Sequence, residues 1–64
     1  MAATDQVLEA LREKIREHMN VTADALAEGS ASSYPEYTHM TGVIEGLALA
    51  ERDLLDIDQR MQKE

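Results

Sequence analysis

The chain has no cysteine, no tryptophan and no phenylalanine, one proline, and six basic residues against thirteen acidic ones in 64 positions. Without cysteine there is no disulfide, no thiolate zinc site and no thiol nucleophile, and nothing points to an oxidising compartment. Tyr34 and Tyr37 are the only aromatics, poor material for stacking bases. Six bases scattered along the chain do not form the clustered Lys and Arg that a nucleic-acid backbone rewards. The longest uninterrupted apolar run is "LALA", residues 47–50, against the ~20 residues that a membrane-spanning helix requires. The opening "MAATDQVLEALREK" lacks the basic stretch and apolar run of a secretory signal. The expectation is a soluble chain, intracellular when made, with no membrane and no nucleic-acid partner.

What is abundant is acid. The net charge is −7, and it is spread rather than gathered in a tail. Residues 1–28 hold six acids and three bases, and residues 36–64 hold seven acids and three bases. A solvated surface that keeps the particle soluble explains this most simply, ahead of DNA mimicry or cation binding. A chain this short, with no disulfide to staple it, ordinarily needs oligomerisation, a metal or a larger partner to hold a fold.

From Thr4 to Glu28 the helical line runs Leu8, Leu11, Ile15, Met19, Thr22, Leu26, in steps of 3, 4, 4, 3 and 4. Thr4 or Asp5 can cap its start. Gly29 suits the left-handed residue that closes a helix, and the serines of "GSASSYP" suit a turn. Ser33 and Glu36 have the spacing of a capping box, and Pro35 is tolerated only in a first helical turn. Beyond them Met40, Val43, Leu47, Ala50, Leu54, Ile57 and Met61 alternate steps of 3 and 4 and are all apolar. That pattern predicts a heptad seam. A second line, Tyr37, Ile44, Ala48 and Leu55, widens the apolar face to about half the circumference, more than one partner helix covers. The expected fold is all-α: an antiparallel two-helix hairpin in one domain, with helix 5–28, turn 29–33 and helix 34–62. It is expected to be completed by copies of itself or by docking on a larger assembly.

Gly42 and Gly46 fall inside the second helix, where each costs about 1 kcal/mol relative to alanine. Gly46 and Ala50 lie along one edge of the apolar face with His39 and Ile57, and small residues at that spacing let another backbone approach closely. Glu51 falls between the two apolar lines, near the level of Arg12 in an antiparallel pair. The expectation there is a partly exposed ion pair of about 0.5 kcal/mol rather than a register-setting contact.

Catalytic constellations are missing. The serines crowd a turn, so no Ser-His-Asp arrangement can be built, and the glycines lie within a helix rather than before one, so no loop cradles phosphate. Glu36 and His39 have the Glu-x-x-His spacing of di-iron bundles, but Glu36 has an alternative role as a cap. His18 reads as an interfacial or solvated side chain. The expectation is a non-enzyme with no cofactor, no metal and no small-molecule substrate. The expected interaction residues are Tyr37, Met40, Val43, Ile44, Gly46, Leu47, Ala50, Leu54, Leu55 and Ile57.

The run from Leu26 to Ile57 resembles a group of short tailed-bacteriophage proteins. They combine a helix, a Gly-containing turn, a Tyr-x-Glu-Tyr element and a Gly-x-Ile-x-Gly-Leu helix. Here those features are Tyr34, Glu36, Tyr37, Gly42, Ile44, Gly46 and Leu47. The chain departs from the group at Thr38, often Arg, and at Met40, often Leu. The resemblance implies a phage origin and genes near those for head assembly. Together with the excess apolar face and the lack of catalytic groups, it leads to the expectation of a structural accessory bound to the capsid, portal or head–tail connector. The implied location is the virion, and the host cytoplasm during assembly. The alternative is a small acidic regulator that binds a host or phage protein, with DNA mimicry as one form.

Overall fold

The computed structural model describes residues 3–63, with side chains from Gln6 onward. Helix α1 spans Ala3–Ala27 and helix α2 spans Tyr34–Lys63, packed as an antiparallel hairpin measuring 47 × 16 × 11 Å. Helix α1 begins two residues before the expected start. The cap expected from Thr4 or Asp5 rests on side chains outside the described residues.

The turn follows from local chemistry. Gly29 has φ +78°, a left-handed conformation that costs an L side chain roughly 1–2 kcal/mol. Its N–H donates to the Leu26 carbonyl at 3.0 Å, and the Ser30 N–H donates to the Ala25 carbonyl at 2.9 Å. These paired bonds form a Schellman closure, which satisfies carbonyls that the end of α1 would otherwise leave bare. At the start of α2 the Glu36 N–H donates to Ser33 Oγ at 3.3 Å. The Glu36 carboxylate accepts from the Ser32 N–H at 3.1 Å and the Ser32 hydroxyl at 2.6 Å. The return half of the capping box therefore reaches one residue further back than Ser33, and the serines hold both ends of the turn.

The packing corrects the expected seam. The side chains of α2 that turn toward α1 are Met40, Ile44, Leu47, Glu51, Leu54 and Asp58. Met40, Leu47 and Leu54 belong to the expected heptad, but Ile44, Glu51 and Asp58 replace Val43, Ala50 and Ile57, and Met61 is exposed. Helix α1 keeps its expected line except at one position. Its inward line is Leu8, Arg12, Ile15, Met19, Thr22 and Leu26, with Arg12 in the place expected for Leu11. Covering one stripe of each helix leaves little interior. Among the described residues only Ile15 and Leu54, each 8 % exposed, and Glu51, 7 % exposed, are buried.

Candidate interaction surface

Glu51 sits where the seam is tightest, and α1 brings two arginines to it. Arg12 and Arg16 are one helical turn apart and so project along the same side of α1. The Arg16 Nε–H donates to Glu51 Oε2 at 2.5 Å, and Arg12 Nε lies 3.8 Å from the same oxygen. The guanidinium groups are about half exposed, whereas the Glu51 side chain is 10 % exposed. The partly exposed pair expected between Glu51 and Arg12 is thus corrected twice. The carboxylate is enclosed, and Arg16 is its nearer partner. Arg16 was legible only as the residue one turn beyond Arg12. A buried carboxylate whose Oε2 faces both arginines favours one relative position of the two helices, because sliding either one would strand it.

The arginines also establish which flanks of the two helices share a face. Glu9, Arg12 and Glu13 of α1 line an open groove of ≈ 630 Å³ with Leu54, Leu55, Asp58 and Gln62 of α2. Leu55, and Tyr37 and Ala48 on the same side of α2, therefore border the arginine side of the hairpin. The opposite flanks, Val7 and Leu11 of α1 with Val43, Ala50, Ile57 and Met61 of α2, lie together on the other side. None of these six is buried by the hairpin.

The ten expected interaction residues therefore divide into three groups. Met40, Ile44, Leu47 and Leu54 are taken up by the contact between α1 and α2. Tyr37 and Leu55 are exposed on the arginine side, and Val43, Gly46, Ala50 and Ile57 are exposed on the other. A methyl group placed at Gly42 or at Gly46 would meet nothing within 4 Å. The hairpin itself makes no close approach at either glycine. Val7, Leu11 and Met61, which are not among those ten, are exposed on the same side as Ile57.

Comparison with protein-family models, with curated proteins and with solved structures returned no match.

The remaining candidates are local. Both hydrogen bonds from Ser32, with a smaller contribution from the charge of nearby His39, hold the Glu36 carboxyl below its ordinary range. An oxygen bonded in this way serves the turn. Among the described residues no three His, Cys, Asp or Glu side chains gather in a metal-binding group. No described helix is long and apolar enough to cross a membrane. The rings of Tyr34 and Tyr37 stack at 6.4 Å with 24° between planes, and both are exposed at the turn end of α2.

Proposed function

We propose that this chain is a non-enzymatic structural accessory of a tailed bacteriophage, a helical hairpin bound to the capsid, portal or head–tail connector through its apolar flanks. One observation carries the reading. The hairpin covers a single stripe of α2 and leaves apolar side chains on both sides of it, Tyr37 and Leu55 on one and Val43, Ile57 and Met61 on the other. Two uncovered flanks suit a component that sits between neighbours. The likeness of Tyr34, Glu36, Tyr37, Gly42, Ile44, Gly46 and Leu47 to phage proteins supplies the context.

The test is mass spectrometry of purified virions from the phage that encodes the chain. The expected result is recovery at a fixed ratio to portal or capsid protein, with a Leu55→Asp variant incorporated less while retaining its helical circular dichroism. Absence from virions removes the proposal. A second reading, the acidic regulator, draws on the exposed carboxylates of Glu13, Glu17, Asp24, Glu45 and Asp56. Recovery of a polymerase, nuclease or repressor on the tagged chain, with no virion protein, favours that reading.

A further inference from the structure

We propose that a second copy of this chain covers the Val43–Ala50–Ile57 flank, joining two hairpins into a four-helix bundle. This goes beyond the virion reading and does not depend on it. The exposed area matches what a dimer needs. The hairpin exposes 5001 Å², whereas a compact monomer of this mass exposes about 4,100 Å². The excess, roughly 900 Å², is close to the ~800 Å² that each partner contributes to a stable interface.

Charge selects the flank. A symmetric dimer sets each patch against its own copy, so a charged patch meets like charge. On the arginine side Glu9, Glu13 and Asp58 share the groove with Arg12, and Glu51 already consumes the arginines. The opposite flank carries Val7, Leu11, Val43, Ala50, Ile57 and Met61. By helical spacing Lys14, His18 and His39 also lie along this flank, and Asp53 and Arg60 fall on its outer rim. A chain of net charge −7 therefore keeps this flank free of central carboxylates, and copies can meet there without opposing acids. Shape agrees with charge. Gly46 and Ala50 stand midway along α2 with open space over Gly46, so a partner helix can approach closely between the larger Val43 and Ile57. The positions that heptad spacing marked as a seam, 43, 50 and 57, then form one, between chains rather than within the hairpin.

The experiment uses the full chain. Sedimentation equilibrium is expected to give twice the chain mass, falling to a single chain in Ile57→Asp. Because that variant could also unfold, the interface is read separately with single thiols in this cysteine-free chain. Ala50→Cys is expected to cross-link efficiently through a short bis-maleimide, and Leu55→Cys, on the arginine side, at least tenfold less. A monomer mass for the unaltered chain overturns the proposal, whether the monomer is helical or unfolded. So does an Ile57→Asp protein that keeps the doubled mass, or cross-linking at Leu55→Cys that equals that at Ala50→Cys.

Discussion

Replacing Glu51 by leucine should leave the hairpin as stable as before or more stable, while making its register less well defined. Glu51 occupies a seam position with Leu47 and Leu54 one turn to either side, and its side chain is 10 % exposed. A leucine there would bury its side chain for a gain of roughly 2 kcal/mol. The loss is the contact to Arg16 and Arg12. Both arginines are about half exposed, so each can return to water, and a pair of that kind contributes about 1 kcal/mol at most. The net expectation is a gain of about 1 kcal/mol, in line with other exchanges of buried ions for apolar side chains. For a domain of this size that is about 4–8 °C in melting temperature. Glu51→Ala makes the opposite case. It removes the ion pair and buries little in return, so it should lose about 1–2 kcal/mol. Thermal and urea melts followed by circular dichroism, at matched chain concentrations, measure both changes. Concentrations must match because self-association shifts apparent stability. Sedimentation velocity of Glu51→Leu should show a broader mixture of species, since no buried charge now penalises a sliding helix. A Glu51→Leu protein destabilised by more than about 1 kcal/mol, yet uniform in sedimentation, would refute this account of Glu51.

Gly29→Ala should cost about 1–2 kcal/mol, because the left-handed residue of the Schellman closure must then carry a side chain; urea denaturation with an unchanged m-value would confirm a simple loss of stability. Gly42→Ala should stabilise by about 0.5–1 kcal/mol through helix propensity, since nothing lies within 4 Å of the added methyl, and sedimentation should show assembly unaltered. Gly46→Leu, beside the apolar flank, should instead weaken assembly while the circular dichroism stays helical. The Glu36 carboxyl is held below its ordinary pKa of 4.5 by Ser32, so its contribution to the start of α2 is present above that value and is lost as pH falls through the lower folded value. An NMR titration should show the Glu36 midpoint rising in Ser32→Ala, and an unmoved midpoint would deny the serine this role.

The ends of the helices were legible because they are local. Gly29 needs no distant partner to close α1, and Ser33, Pro35 and Glu36 mark the start of α2 through hydrogen bonds spanning four residues or fewer. The carboxylate's choice of Ser32 over Ser33 was not legible, since adjacent serines offer it similar donors. Periodicity likewise determined that two amphipathic helices would pair, and that Met40, Leu47 and Leu54 would face inward, because those three lie mid-face, between Val43, Ala50 and Ile57 on one side and Ile44, Ala48 and Leu55 on the other. Which stripe the hairpin would use could not be read from α2. Apolarity alone favours Val43, Ala50 and Ile57 over a line that includes Glu51 and Asp58. Only the packed pair sets Arg12 and Arg16 against Glu51 and turns Leu11 outward with Val43 and Ile57. A helix with apolar residues over half its circumference can satisfy one neighbour with either stripe, so the position of the neighbour makes the selection. The tertiary structure thus decided which apolar residues were consumed within the chain and which remain on its surface.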